Sequence, residues 1–252
     1  MWNERQAIEI FHLLFVAQLG RRVDKAFFAI KGGCNLRFFC RSIRYSGDID
    51  FDIRTMAVAT LRSNVANILK SPVFGQSLST KQIAIDHVTA TKQTDTTQRW
   101  KVGITLRGGK PIPTKIEFSR RKGLDSDHTL EPVDAELMRT YELYPILAQH
   151  YSREAAFRQK VVALSRRTET QARDIFDLKL LLDGGAGRQP LPADVLTEIR
   201  RAIENAMTIG FDEFSGQVRV YLTADYQDYY RSRQVWESLQ EEVVRALENL
   251  QP

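Results

Sequence analysis

FAIKGGCNLRFFCRSIRYSGDIDFDI, residues 28–53, is the stretch that decides the fold of this chain. An apolar run over residues 26–30 predicts a short buried strand. The glycine pair that follows breaks this strand, and residues 34–40 are typical of the first turns of a helix. After a Ser-Gly turn, the alternating residues 48–53 predict a second strand. The stretch therefore predicts a strand, a helix and a strand, with a glycine pair at the first junction.

The second strand carries three aspartates in alternation with apolar residues. Side chains alternate between the two faces of a strand, so Asp48, Asp50 and Asp52 lie on one face. Neighbouring carboxylates on that face are about 7 Å apart and repel one another. A divalent cation relieves the repulsion, and Mg²⁺ prefers one or two carboxylates together with substrate phosphates. The alternative is a strand whose acidic face is simply solvated.

The glycine pair Gly32-Gly33 stands immediately before the predicted helix. Glycine lets a backbone approach a phosphate closely, and the N–H groups at a helix N-terminus attract anions. A phosphate cradle beside paired carboxylates is the apparatus of phosphoryl or nucleotidyl transfer. The context of the acidic strand therefore favours this chemistry over a solvated face.

At these residues the chain resembles the AbiEii-type nucleotidyltransferase toxins of bacterial type IV toxin–antitoxin systems, a branch of the polymerase-β-like superfamily. The resemblance lies in the glycine pair, the helix and a motif Arg-x-Ser-x-Asp-Ile-Asp. It implies that Asp48 and Asp50 are catalytic residues that hold a metal ion. It also implies a set of nucleotide-binding residues: Gly32, Gly33, Cys34, Arg44 and Ser46.

Cys34 departs from the family pattern, which usually has a small hydroxyl residue after the glycines. A thiol is a poor hydrogen-bond donor. At this position we therefore expect a phosphate contact through the backbone N–H.

A further acidic residue lies on a later predicted strand, residues 114–120. Ile116 and Phe118 face the core of this strand, and Glu117 faces the opposite side. One interpretation is a surface glutamate beside Lys115. The family resemblance implies the other, in which Glu117 is the third carboxylate of the metal site and helps to activate the attacking hydroxyl.

The second half of the chain carries another signature on two predicted helices, residues 152–167 and 171–182. It resembles the second motif of the same family through six residues: Lys160, Ala163, Arg167, Arg173, Asp174 and Asp177. The resemblance implies that the Lys160 ammonium binds phosphate and neutralises the leaving pyrophosphate. By spacing, Asp174 and Asp177 lie on an apolar helix face. They are either catalytic or structural, one favouring the helix dipole and the other pairing with Arg173 or a neighbour.

The remaining elements are predicted from periodicity and turn residues. Helices are expected over residues 3–19, 58–69, 193–206 and 225–250, and strands over residues 82–90 and 99–106. His12, in the first helix, is interpreted as a packed core residue rather than a ligand. The pattern changes from strands to helices at about Val133. We therefore expect an α+β fold, with a polymerase-β-like core and a small mixed sheet in residues 1–130 and a mainly helical region in residues 131–252.

The 252 residues are 43% hydrophobic and carry a net charge of +5. This composition allows a sizeable core and permits a nucleic-acid partner. Residues 99–122 hold eight basic side chains against one acid, and they end in Arg120, Arg121 and Lys122. Two cysteines without metal-ligand spacing suit a reducing cytoplasm. No signal-peptide pattern or membrane-length apolar run occurs, so we expect a cytoplasmic protein with no membrane contact.

These features and the resemblance imply a nucleotidyltransferase that uses an NTP with Mg²⁺ or Mn²⁺. An acceptor hydroxyl would attack the α-phosphate and release pyrophosphate. The resemblance further implies an RNA acceptor, with tRNA 3′ ends foremost, a cognate antitoxin and a part in abortive infection. The alternatives are transfer to a small molecule or a protein, and a catalytically inactive module that binds nucleotide or RNA.

Overall fold

The computed structural model describes residues 1–120 and 127–250, and the chain divides into two compact units. The units are Met1–Phe39 with Tyr45–Tyr151, and Cys40–Arg44 with Ser152–Pro252. The fold is α+β, as expected. The division falls between Tyr151 and Ser152 rather than at 130/131, because two short strands before Ser152 belong to the sheet of the first unit.

The first unit combines helices with a sheet. Its α-helices are α1 (Glu4–Arg22), α2 (Gly32–Phe39), α3 (Val58–Leu69), α4 (Pro72–Ser79) and α5 (Ala135–Thr140), and a 3₁₀ turn lies at Lys25–Phe27. Its strands are β1 (Phe28–Lys31), β2 (Asp48–Ile53), β3 (Ile83–Gln93), β4 (Thr97–Leu106), β5 (Ile112–Ser119), β6 (His128–Pro132) and β7 (Leu147–Tyr151).

These strands form one mixed sheet in the order β3-β4-β5-β2-β1-β7-β6. The central strand is β2, which runs antiparallel to β1 and parallel to β5. In this register Asp50 lies opposite Lys31 on one side and opposite Glu117 on the other. The acidic strand predicted from the alternation is therefore an interior strand, with a neighbour on each side.

The apolar side chains of β2 pack into the hydrophobic core of the first unit. Ile49 and Phe51 are fully buried, and the Phe51 ring stacks on that of Phe118 with the centroids 4.7 Å apart. Helix α1 contributes Phe15 against Phe51 and the fully buried His12, which confirms the core position expected for this histidine. Burying a large apolar side chain is worth about 1.5–3 kcal/mol. This packing therefore fixes the face on which the aspartates lie.

Two parts of the first unit differ from the expectation. Pro72 ends α3, but it also starts the unexpected α4, because its fixed φ and missing N–H suit the first turn of a helix. The change to helix at about Val133 comes too early, since β7 follows α5 and joins the sheet. Strands β6 and β7 have five residues each, which is too short to give a clear alternation.

The second unit is helical in the part that the structure describes. Its α-helices are α6 (Arg153–Arg166), α7 (Ala172–Asp183), α8 (Ala193–Met207), α9 (Phe211–Gln217), α10 (Ala224–Tyr229) and α11 (Arg233–Glu248), with a 3₁₀ turn at Arg219–Tyr221. Ser152 caps α6 as predicted, since its hydroxyl accepts a hydrogen bond from the Ala155 N–H at 3.2 Å. The single helix expected over 225–250 is two helices, because Ser232 is extended at the start of α11.

Helix α6 packs against α7 and α8, and α11 packs against the same two helices. The segment Cys40–Arg44 also belongs to this unit, where Arg44 forms a β-bridge with Leu222. Across residues 1–120 and 127–250, no helix has both the length and the apolar character needed to cross a bilayer.

Candidate active site

The three carboxylates expected from the sequence lie on one face of the sheet. Asp48 and Asp50 alternate with the buried Ile49 on β2, and Glu117 on β5 is the register partner of Asp50. Side chains of register partners on adjacent strands point to the same face. Glu117 therefore lies beside Asp50, with the strand phase that was predicted.

A row of four charged side chains crosses the sheet at the level of Asp50. From β4 through β5 and β2 to β1, the register partners are Arg99, Glu117, Asp50 and Lys31. The Arg99 Nε donates a hydrogen bond to the Glu117 Oε2 at 2.6 Å. Each carboxylate thus has a cation on its outer side, and the two acids stand next to each other in the middle.

The neighbouring row holds two lysines and an aspartate. Lys101 on β4 is the register partner of Lys115 on β5, which in turn is the partner of Asp48. The Lys115 Nζ lies 3.1 Å from the Asp48 Oδ2 and 3.9 Å from the Glu117 Oε2. One ammonium therefore bridges two of the three carboxylates.

The pKa of the Asp50 carboxyl lies above its ordinary value. Burial is the main cause, because it disfavours the charged form, and the negative charges of Glu117 and Asp48 act in the same direction. The charges of Lys115 and Lys31 lower the pKa without cancelling the effect. Asp50 is thus a carboxylate that gains from an added positive charge.

Asp52 shares the acidic face but has a different environment. One of its oxygens pairs with the Lys31 ammonium, and the other accepts a hydrogen bond from the Tyr151 hydroxyl at 2.7 Å. Its side chain is only 7% exposed. Asp52 therefore ties β2 to β1 and β7 and belongs to the framework of the sheet.

Gly32 brings the start of α2 against the acidic strand. Its φ of +65° is in the left-handed region, and a Cβ at this position would lie 3.3 Å from the Asp50 Oδ2. Only glycine accepts both this conformation and this approach without strain. The expected junction of glycine pair, helix and carboxylate is therefore present in the structure.

The turn before β2 is held by side chains that the sequence did not single out. The Thr114 hydroxyl donates to the Gly47 carbonyl at 2.8 Å, and the His12 Nε2 lies 2.7 Å from the same hydroxyl oxygen. Because the Thr114 proton is used on Gly47, the hydrogen-bond pattern assigns an Nε2–H to His12. Burial lowers the pKa of His12 to about 3, so the ring is neutral.

Two of the expected nucleotide-binding residues also contact this turn. The Cys34 thiol is buried and donates to the Asp48 carbonyl at 3.3 Å, and the Ser46 hydroxyl donates to the same carbonyl at 2.8 Å. Burial raises the pKa of the Cys34 thiol, which stays protonated. The thiol thus faces the core, and a phosphate contact through the backbone N–H of Cys34 stays a prediction.

The acidic face does not form a metal cage by itself. Among residues 1–120 and 127–250, no three histidine, cysteine or acidic side chains are arranged to hold a metal ion. Glu117 instead pairs with Arg99, and Lys115 bridges Asp48 and Glu117. The donor chemistry still fits Mg²⁺ or Mn²⁺, because these ions accept two carboxylates and take further oxygens from substrate. The three carboxylates thus share one face, and their use as metal ligands stays a prediction.

The second signature forms an ion-pair network in the second unit. The Lys160 Nζ lies 2.7 Å from the Asp174 Oδ1 and 2.7 Å from the Asp177 Oδ2. Arg167 pairs with the other oxygen of Asp174 at 2.6 Å. Arg44 donates through Nε and Nη2 to Asp177, at distances from 2.8 to 3.1 Å.

Both aspartates of this network are fully buried, which explains the acids on an apolar helix face. Burial would raise the pKa of Asp177, but the charges and hydrogen bonds of Arg44 and Lys160 outweigh it and the pKa lies below the ordinary value. The cations found beside Asp177 are thus Arg44 and Lys160, where Arg173 or a neighbour was the suggested partner. Arg44, expected to bind nucleotide, has its guanidinium on a protein carboxylate.

The basic cluster at the end of β5 is described only in part. Arg120 donates through Nε to the Met56 carbonyl at 3.3 Å, and its guanidinium also contacts Gln98. Arg121 and Lys122 lie outside the described residues. Arg120 is therefore partly a structural residue, and the basic side chains near the acids include Arg99 of β4, Lys115 of β5 and Lys31 of β1.

The fold is thus a mixed sheet whose interior strand carries paired aspartates beside a left-handed glycine. The class of protein is given by the family match, which is that of a nucleotidyltransferase. The family model described as nucleotidyl transferase AbiEii toxin, type IV toxin–antitoxin system, matches residues 14–246. The match covers most of the chain, and the chain therefore belongs to the AbiEii nucleotidyltransferase toxin family. The resemblance inferred from the two signatures is confirmed.

Solved structures with a similar fold include JHP933 from Helicobacter pylori, with 17% identity, a TM-score of 0.62, and coverage of 99% of this chain and 95% of that one. MenT4, a nucleotidyltransferase toxin from Mycobacterium tuberculosis, is 17% identical with a TM-score of 0.55, covering 98% of this chain and 94% of that one. At these identities the likeness concerns the fold. A comparison with curated protein sequences gave no match.

Proposed function

We propose that this chain transfers a nucleoside monophosphate from an NTP to the hydroxyl of an RNA 3′ end, with tRNA as the foremost acceptor, in a reaction that requires Mg²⁺ or Mn²⁺. The observation that carries the proposal is the face of the sheet on which Asp48, Asp50 and Glu117 lie among basic side chains. An acidic centre suits a divalent cation, and basic surroundings suit the phosphates of a nucleotide and of RNA.

Asp48 and Asp50 are the residues proposed to hold the metal ion. Mg²⁺ commonly takes one or two carboxylates and completes its octahedron with substrate phosphates and water. When bound, the metal ion neutralises charge that develops on the phosphates during transfer. Two carboxylates are sufficient for this arrangement, so Glu117 need not be a permanent ligand.

Glu117 is proposed to accept the proton of the attacking hydroxyl. A general base must be oriented toward the acceptor, and the charged hydrogen bond from Arg99 to the Glu117 Oε2 holds this carboxylate in place. The register of β2 and β5 puts Glu117 beside Asp50. A hydroxyl near the metal-bound phosphate would therefore lie close to this base.

The backbone after Gly32 is proposed to bind the triphosphate. The first N–H groups of α2 have no carbonyl partner within the helix and can donate to phosphate oxygens. The absence of a Cβ on Gly32 lets this backbone lie against Asp50. Ser46 is proposed to position Asp48 by its hydrogen bond to the Asp48 carbonyl. Arg44 is proposed to position Asp177 by its hydrogen bonds to that carboxylate.

The ion-pair network of the second unit is proposed to order α6 and α7. A contact between Lys160 and the leaving pyrophosphate stays a proposal based on the family resemblance. The ammonium has three donors, and Asp174 and Asp177 each accept from it at 2.7 Å. The third N–H is the one proposed to serve a phosphate oxygen.

Membership of a type IV toxin family implies a cognate antitoxin. We propose that the enzyme acts on RNA in the cytoplasm, where its effect on growth would be that of a toxin and could serve abortive infection. Expression should then slow growth, and co-expression of the antitoxin should restore it.

The test is incubation of the purified protein with each α-labelled NTP, Mg²⁺ or Mn²⁺, and total RNA. The proposal predicts label on RNA of tRNA size, and no label when the metal is chelated. Label on a small molecule or on a protein would show that the enzyme is a transferase with that acceptor instead of RNA. Binding of NTP and RNA without any transfer would identify an inactive binding module.

A further inference from the structure

Lys115 has a position that the proposed mechanism does not yet use. It lies on β5 opposite Asp48 and two residues before Glu117, so the three side chains share one face. Its Nζ is 3.1 Å from the Asp48 Oδ2 and 3.9 Å from the Glu117 Oε2. The side chain is 28% exposed, which leaves it a path to solvent.

The ammonium therefore stands where a cation would neutralise Asp48 and Glu117 together. An ammonium and a divalent metal ion are both attracted to carboxylate oxygens, and they repel each other at short range. Occupation of this position by Lys115 is also consistent with the lack of a ready three-carboxylate site in the described residues. A metal ion at the Asp48 Oδ2 would therefore compete with the Lys115 ammonium for this position.

We propose that Lys115 is a built-in counter-ion, whose ammonium holds the cation position between Asp48 and Glu117 until a metal–nucleotide complex displaces it. The inference rests on the proposed function and deepens it. Metal alone would bind weakly, because it must displace the lysine without compensation. With a triphosphate present, the displaced ammonium gains a new anionic partner on the same face.

The direct test is titration of the metal-free protein with Mn²⁺ alone, at about pH 8 so that the acidic groups are ionised. Lys115→Met should bind Mn²⁺ about tenfold more tightly than the wild type, the size expected for removing one positive charge near a divalent ion in a hydrated site. Lys115→Arg keeps the charge and should behave as the wild type. Lys70→Met removes an exposed lysine beside α3, away from this face, and is the control, with wild-type Mn²⁺ affinity.

The same titration with a non-hydrolysable NTP analogue tests the displacement. The tenfold difference in Mn²⁺ affinity between wild type and Lys115→Met should become smaller. The reason is that the triphosphate then stabilises the released lysine in the wild type. If wild type and Lys115→Met bind Mn²⁺ equally well without nucleotide, or if neither binds it, Lys115 is not the proposed counter-ion. If the nucleotide analogue leaves the difference in Mn²⁺ affinity unchanged, the metal–nucleotide complex does not displace Lys115.

The readout is metal affinity, so it is independent of the transfer reaction. If no RNA is labelled but Lys115→Met binds Mn²⁺ more tightly than the wild type, the proposal of an RNA acceptor is wrong and the counter-ion role of Lys115 is supported. Circular dichroism should show that all variants are folded, since the side chain of Lys115 is partly exposed and Glu117 keeps Arg99 as a partner.

Discussion

Lys160 lies between two fully buried carboxylates, and this environment decides what its replacement does. Lys160→Ala removes one cationic partner from each of the buried carboxylates Asp174 and Asp177. We expect the free energy of unfolding to fall by about 3 kcal/mol, as when one partner of a buried ion pair is removed. The measurement is urea denaturation at about pH 7.

Lys179→Ala is the matched control. Lys179 pairs with Asp183 and Glu242, whose side chains are 60% and 54% exposed. Removing such a surface pair should change the free energy of unfolding by less than about 1 kcal/mol. A Lys160→Ala protein as stable as the Lys179→Ala protein would show that the buried network does not stabilise the fold.

At the scale of single residues, the sequence predicted the placement of charged side chains better than it predicted their partners. Periodicity places Asp174 and Asp177 on an apolar face, and the resemblance singles out Lys160. The pairing of Asp177 with Arg44, distant in sequence, has no local signal, because it depends on the segment 40–44 joining the helical unit. The helix position alone would suggest an exposed Lys160, which is wrong because its ammonium is enclosed by two acids.

At the scale of elements, α1 supports the turn before β2 through His12 and Thr114. The pKa of His12 is about 3 in the folded protein against 6.5 for the free group. As pH falls below about 6.5, the unfolded chain takes up a proton that the folded protein does not, so stability decreases with falling pH. His12→Gln keeps an N–H for Thr114 and should remove up to about 1.4 kcal/mol per pH unit from that slope.

The measurement is the free energy of unfolding between about pH 6.5 and pH 4. Asn67→Ala is the control, since Asn67 is exposed and uncharged on α3 and its replacement should leave the slope as in the wild type. The same slope in His12→Gln and wild type would mean that the buried ring does not stay neutral.

Strands β2 and β5 were predictable because acidic and apolar side chains alternate in them, and α2 because a glycine pair marks its start. Strands β6 and β7 were missed because each has five residues with mixed polar character. Their place in the sheet depends on pairing with distant segments, which no local pattern reports.

At the scale of the whole molecule, basic side chains share the acidic face across several strands. Lys92 is the register partner of Arg99, and Lys101 is that of Lys115. If RNA binds here, Lys92→Gln with Lys101→Gln should weaken binding and flatten the dependence of log K on log salt by about 1 to 2 units. The measurement is RNA affinity by fluorescence anisotropy over a series of salt concentrations.

Arg62→Gln with Lys70→Gln is the control pair, because both residues are exposed on or beside α3 and carry the same charge. This double variant should keep the wild-type salt dependence. Equal effects of the two double variants would indicate that net charge, and not this face, attracts RNA.

The composition and the two signatures were sufficient to predict an α+β nucleotidyltransferase. They could not give the strand order, which brings β5 beside β2 and so pairs Glu117 with Asp50. They showed that residues 99–122 are basic, but not that Arg99 pairs with Glu117 or Lys115 with Asp48, because these pairs depend on the register. The charged rows on the acidic face are therefore a product of the sheet as a whole.

The most direct test of the central claim is transfer of labelled nucleotide by Asp50→Asn beside wild type and the surface variant Asp194→Asn. The account predicts at least about a hundredfold loss for Asp50→Asn and wild-type transfer for Asp194→Asn. The melting temperature of metal-free Asp50→Asn should be equal to or about 2 °C above that of the wild type, because a partly buried charge beside two other carboxylates is removed. Undiminished metal-dependent labelling by folded Asp50→Asn would contradict the assignment of the acidic face as the catalytic centre.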